Sequence, residues 1–323
     1  MAGKDSTTKK YMSDNEVFAD AFNFYIYGGE QVIKSDQLRT LDTTAITLPY
    51  KADKSSKPIQ KHRDILKLLT VMTDDKAAYV VFGAELQSQI HDAMPVRNML
   101  YDAIQYSDQV HEICKAHKKN NDKPDTSGEF LSQFHKDDKL IPVITLVIYL
   151  GPDEWDAPMS VHEMLEVKDQ RILKYVQDYR LNVIAPASIP DEDFEKFHTE
   201  LKQALKYVKY SSNKELLKKM VENDESFKHL SWETANMINQ VTGSKMKLRR
   251  SKGEVNVCKA IEGLMEDSKL EGIEEGIGIG RAELINSIKS LMAKMNLSAD
   301  EAMEILDIPE DKRKSYKKMI EKT

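Results

Sequence analysis

Three residues at the ends of two short apolar segments have the types and spacing for metal-assisted chemistry. Asp64 follows Lys61-His62-Arg63 at the head of one segment, and Glu85-Leu86-Gln87 closes the next. In an extended strand residues i and i+2 face the same way, so Glu85 and Gln87 project together. If the two segments pair as a hairpin, Asp64 meets them at one end of a sheet. Two carboxylates converging there repel unless a cation neutralises them, and oxygen ligands suit Mg2+ or Mn2+. Such an ion polarises a phosphodiester, stabilises the leaving oxygen and lowers the pKa of an attacking water. Spacing alone is also met by a solvent-facing hairpin, because an acid followed two places later by an amide is common among 53 acidic residues.

The elements that must position these groups are legible as periodicities. A helix is expected over residues 16–27, with Val17, Phe18, Ala21, Phe22 and Tyr25 on one face, Asp14 or Asn15 as cap and Gly28-Gly29 as stop. Extended pieces are expected over 44–48, 65–72 and 77–85, with Asp74-Asp75-Lys76 as the turn before the last. Pro95 suits a first helical turn, and apolar positions then recur at helical spacing over 96–118. On that helix Arg97, Tyr101 and Gln105 recur every four residues and share a face. They fit either a group that grips a phosphate and orients Glu85 or a polar stripe on a half-buried helix. His91 fits a proton shuttle or a structural histidine. After a polar loop over 119–128, the run from Leu140 to Leu150 reads as a fully buried strand, since it is about half the ~20 residues of a membrane-spanning helix.

Beyond Pro190 the pattern turns helical, over 191–221 and 233–241, with no strand expected after Val183-Ile184-Ala185. Boundaries are therefore expected near 190 and 265, dividing the chain into 1–190, 191–265 and 266–323. Net charge is -6 and the pI about 5.8, against a protein that coats nucleic acid by bulk charge. Local basic patches remain at Lys115, Lys118 and Lys119, in Lys245-Met246-Lys247-Leu248-Arg249-Arg250, and in Lys312-Arg313-Lys314. Two distant cysteines argue against a disulfide framework or zinc site and for a reducing cytoplasm. The first ten residues, MAGKDSTTKK, lack the apolar stretch of a signal peptide, and no membrane partner is expected.

Five ordered stretches resemble a known family: residues 15–23, 59–64, 85–91, 94–106 and 140–149 with Gly151-Pro152 and Trp155. They are similar to the Rpn (YhgA-like) recombination-promoting nucleases, a PD-(D/E)XK family also described as transposases, closely over about 12–190 and loosely thereafter. The resemblance implies an α/β fold with a restriction-endonuclease-like αβββαβ core, followed by an all-helical C-terminal region. It implies a Mg2+-dependent DNA endonuclease connected with recombination or mobile elements, in which Asp64 and Glu85 ligate the metal and the Leu86 carbonyl adds a ligand. Gln87 departs from the lysine usual in the superfamily, replacing a charge with a group that orients only by hydrogen bonding. Glu16 resembles the extra acid that some of these nucleases direct at the metal, and equally an exposed first-turn acid favoured by the helix dipole. The departure at Gln87 leaves open an alternative, a catalytically weak protein that regulates DNA or a partner through its helical tail.

Gly276-Ile277-Gly278-Ile279-Gly280-Arg281 is not a nucleotide-binding loop, because no strand precedes it and no Lys-Ser/Thr follows. Gly272, Gly276 and Gly280 instead form a small-residue stripe on one helix, suited to pairing two copies or to a flexible hinge before the tail. Ser298-Ala299-Asp300-Glu301 is a capping box, and Asp307-Ile308-Pro309 breaks the chain before a last helix. A small self-packed bundle for oligomerisation or a helix-turn-helix would fit these pieces.

Overall fold

The computed structural model describes residues 2–41, 44–47, 59–62, 64–73, 76–251 and 253–321. Helices α1 (Ala2–Met12) and α2 (Asn15–Tyr27) come first. Asp14 caps α2 by accepting the amides of Glu16 and Val17, and Gly28 ends it at φ 63°. Helix α1 was not expected, since its sequence carries no apolar stripe. It is held by tertiary burial of Tyr11 and Met12 at its end.

Strands β1 (Leu38–Thr40), β2 (Thr44–Thr47), β3 (Ile59–His62), β4 (Ile65–Thr73) and β5 (Lys76–Gln87) lead into α3 (Met94–Asn120) and α4 (Ser127–Ser132). Then follow β6 (Val143–Tyr149), α5 (Val161–Met164), α6 (Gln170–Leu173) and β7 (Asn182–Ile184). The main sheet runs β1-β4-β5-β6-β7. Its first three strands are antiparallel, while β6 and β7 run parallel to β5. Strands β2 and β3 pair separately. Residues 74 and 75 of the expected turn and Leu48 of the first expected strand lie outside the described residues.

Both faces of the sheet are covered, which is why β6 is apolar at every position but Thr145. On one face Phe22 of α2 lies 4.4 Å from Phe82 and 4.8 Å from Phe18. On the other, Met94 of α3 packs with Val147 and Leu181. Helix α3 runs back along β6: Thr145 donates to Asp102, the Val143 amide to Tyr106, and Gln109 exchanges two hydrogen bonds with the Ile141 backbone.

Residues beyond 190 contribute α7 (Leu201–Tyr210), α8 (Lys214–Asn223), β8 (Leu230–Ser231), α9 (Trp232–Thr242), β9 (Arg250–Ser251) and β10 (Glu254–Val255). The three strands form a small sheet that the sequence does not reveal, because two residues are too few to show alternation. The expected helix over 191–221 is broken into 3-10 turns, α7 and α8. The change near 190 is one of composition and not a break between units. Met1–Lys259 forms one compact unit and Ala260–Thr323 another. The first is joined across residue 190 by Asp20, which is buried and accepts the amides of His198 and Thr199 and the Thr199 hydroxyl. Phe24 also stacks on Phe197 at 4.0 Å.

The Gly-rich segment lies within one helix, α10 (Val257–Met295), which starts before the expected 265 and continues past the glycines. It is followed by α11 (Ala299–Ile305) and α12 (Glu310–Glu321). In the second unit Ile288, Ala302, Met303 and Ile308 are buried together, with Leu284, Leu291 and Tyr316 packed against them. The capping box forms in both directions between Ser298 and Glu301. Cys114 and Cys258 are free thiols. Among the described residues no helix is long and apolar enough to cross a membrane.

Candidate active site

Strand register decides what can meet Glu85. Ile65 is opposite Ala84 on the antiparallel side, and Glu85 is beside Val147 on the parallel side. Glu85 therefore points to the face covered by α3, at the end of the sheet where β4 begins and β5 finishes. Asp64, one place before β4, reaches the same end: its Oδ2 accepts the Leu86 amide at 2.9 Å. Within a strand the N–H and C=O of one residue point to the same edge, so the Leu86 carbonyl also faces the Asp64 side. Gln87 lies two places beyond Glu85 on the same face and is half-buried. Its amide has no hydrogen-bond partner among the described residues.

The first turn of α3 supplies the counter-charge. Arg97 Nη2 donates to Glu85 Oε2 at 3.1 Å, and its Nε donates to the Tyr101 hydroxyl at 3.2 Å. The guanidinium carbon lies 5.5 Å from the Tyr101 ring centre. Glu85 is wholly buried, whereas the Arg97 side chain keeps 33% of its exposure. Burial works against the Arg97 charge, but the Tyr101 hydrogen bond and the carboxylates of Glu85 and Asp64 outweigh it and hold its pKa above the ordinary value. Both acids thus act on one guanidinium. The expected stripe is only partly realised, for Gln105 is half-buried and makes no hydrogen bond to either neighbour. His91 is exposed.

Glu16 is not brought to this cluster. It is exposed at the start of α2, which covers the opposite face of the sheet. There it lines a cavity of about 740 Å3 with Lys10, Asp14, His198 and Trp232. Lys67 of β4 lies on that opposite face too, opposite Phe82 in the register. Its ammonium is buried, donates to the Ser13 carbonyl at 2.8 Å and to Asn15, and sits 5.3 Å from the Phe18 ring centre. Burial lowers its pKa, with Asp14 pulling the other way. It cannot substitute for a lysine at position 87, because the sheet lies between them.

Sequence reasoning missed the buried polar residues that fix α3. Asp102 accepts from Thr145 Oγ1 and from Tyr179 Oη, both at 2.6 Å. Their signal is an every-fourth pair, Asp102 and Tyr106, on the face beside Arg97, Tyr101 and Gln105. A Cβ at Gly151 would lie 2.1 Å from the Tyr149 hydroxyl, and Tyr149 is the lateral neighbour of Gln87.

Two carboxylates and a backbone carbonyl are a sparse oxygen set, of the kind that holds a hard cation with several waters kept. Among the described residues no three His, Cys, Asp or Glu side chains converge as a metal site. A cation already stands with the two acids in the form of Arg97, so the donor set suits positive charge. A family model described as "Putative transposase, YhgA-like" matches residues 57–235, which span β4, β5, α3 and β6. No curated protein and no solved structure matches the chain.

Proposed function

Since the chain belongs to the YhgA-like transposase family, we propose that its connection with mobile elements is exercised through a Mg2+-dependent DNA endonuclease of PD-(D/E)XK type. The observation that carries this reading is the convergence of Asp64, the Leu86 backbone and Glu85 at one sheet end, with Arg97 bonded to Glu85. The order α2, then antiparallel β1, β4 and β5, then α3 and parallel β6 supports an αβββαβ core. Asp64, Glu85 and the Leu86 carbonyl would hold Mg2+ or Mn2+. When bound, the ion supplies charge neutralisation at the phosphodiester and an acidified water. The Gln87 amide would orient a water by hydrogen bonding and carries no charge of its own. Tyr101 supports the Arg97 guanidinium, and Arg97 compensates the Glu85 carboxylate while no metal is bound.

A second reading rests on Gln87 and the net charge of -6: a weakened site in a protein that binds DNA or a partner through its helical tail. In either reading α10 and its neighbours pair two copies, since Leu270, Ile273, Ile277 and Ile279 stand exposed beside the glycines. The test is incubation of the full chain with plasmid DNA in Mg2+, in Mn2+ and in EDTA. Cleavage with either metal, absent in EDTA and abolished by Asp64→Asn or Glu85→Gln, is the expected result. Wild-type cleavage in either variant would sink the site, and DNA binding without any cleavage would favour the second reading.

A further inference from the structure

We infer that Arg97 is an internal counter-ion that a divalent cation must displace, and that it then turns to the DNA phosphate, coupling metal binding to DNA binding. This rests on the metal site proposed above and concerns its regulation. Glu85 is wholly buried, and its Oε2 is engaged by Arg97 Nη2 at 3.1 Å. A buried carboxylate is stable only when its charge is compensated, and Arg97 does this in the protein alone. A cation arriving at Glu85 meets the guanidinium there, and like charges within ~4 Å repel.

Three features let Arg97 move without unfolding anything. It lies in the first turn of α3, its side chain is one-third exposed, and the Tyr101 hydroxyl and ring give the guanidinium a second support. The helix behind it is held by Asp102, Tyr106 and Gln109, none of which involves Arg97. Once released, a guanidinium matches a phosphate oxygen pair by bidentate donation, which a metal-bound carboxylate cannot offer. Metal and DNA thus each free the group the other needs. By linkage, each raises the affinity of the site for the other.

The opposite role is equally concrete. Residues that hold a ligand in place usually strengthen metal binding, and losing one costs roughly 10–100-fold in affinity. The two roles therefore differ in sign. The experiment is Mn2+ titration of the full chain by calorimetry, with and without a short phosphorothioate duplex, for wild type, Arg97→Met and Glu85→Gln. Methionine keeps the stem packing and removes the charge. Expected is tighter Mn2+ binding by Arg97→Met in the free protein, by about 5–150-fold, the usual range of a coupling between sites. Also expected is a gain of Mn2+ affinity on adding duplex in wild type that Arg97→Met lacks. Wild-type Mn2+ binding lost in Glu85→Gln, with Arg97→Met equal to or weaker than wild type, would overturn the role of Arg97 and leave the metal site standing. Absence of Mn2+ binding in both wild type and Arg97→Met would overturn both. If Arg97→Met fails to fold, the wild-type comparison alone decides: an affinity unchanged by duplex overturns the coupling.

Discussion

At the scale of single residues, Gln87 is the position where chemistry and packing can be told apart. It shares a face with Glu85, is half-buried and is not a proposed metal ligand. Gln87→Ala is expected to lower cleavage by roughly one to three powers of ten, the scale of a lost orienting or electrostatic group. Mn2+ affinity should stay level, so calorimetry beside cleavage assays checks the assignment; normal cleavage with weakened Mn2+ binding would reverse the roles. Glu85 behaves differently from an isolated acid. Two converging carboxylates suggest that deleting one relieves repulsion, yet Arg97 already compensates Glu85. Truncation to alanine therefore strands a partly buried guanidinium and is expected to destabilise, whereas Glu85→Gln keeps the shape and separates chemistry from folding.

At the scale of elements, α3 carries the site at one end and a charged clamp at the other. His117, in its last turn, lies between Asp122 at 2.9 Å and Asp138 at 2.9 Å, and stacks on His135 with ring centres 3.8 Å apart. Hydrogen bonds to Asp122 and then Asp138 raise the His117 pKa above its ordinary value, outweighing the small opposing effect of burial. A raised pKa means that the folded state binds the proton more tightly than the unfolded chain. The clamp is therefore fully effective below the unfolded histidine pKa and is lost as pH rises through the folded one. Protection factors across residues 117–138, taken relative to the intrinsic exchange rate at each pH, are expected to fall on going from acid to alkaline pH. In His117→Asn that fall should vanish, and an unchanged profile of protection in the variant would refute the clamp.

At the scale of the whole molecule, the exposed middle of α10 calls for explanation. Gly272, Gly276, Gly278 and Gly280 each cost a helix ~1 kcal/mol relative to Ala. A Cβ at any of the four would meet nothing within 4 Å, so packing inside one chain does not require them. Close approach of a second backbone would make use of them, and Ile273 and Ile277, each 49% exposed, would add apolar contact. Two joined copies would also bring two cleavage centres to one duplex. Gly276→Leu is expected to shift the protein towards monomer in sedimentation and to reduce double-strand cuts more than nicks. A wild-type chain already monomeric at micromolar concentration would refute the pairing.

The sequence by itself determined α2, β4, β5, α3 and β6 and their order along the chain, but not the three-residue β1, nor that β2 pairs with β3 outside the main sheet. Asp14, Gly28 and Pro95 mark helix ends by backbone chemistry, and Ser298 with Glu301 closes a local cap. The run of β6, apolar but for Thr145, announces burial on both faces, and the spacing of Glu85 and Gln87 assigns them a common face. These are local rules, legible within a few residues. Only tertiary structure decided which face of the sheet each acid reaches. Strand register sets Asp64 against the Leu86 amide and turns Lys67 to the opposite face, while helix placement puts Glu16 on that face. It also merged residues 191–259 with the first unit, because the bonds of Asp20 to His198 and Thr199 span nearly two hundred residues and leave no periodic trace. A pairing across that distance depends on how whole elements pack, which spacing along the chain does not encode.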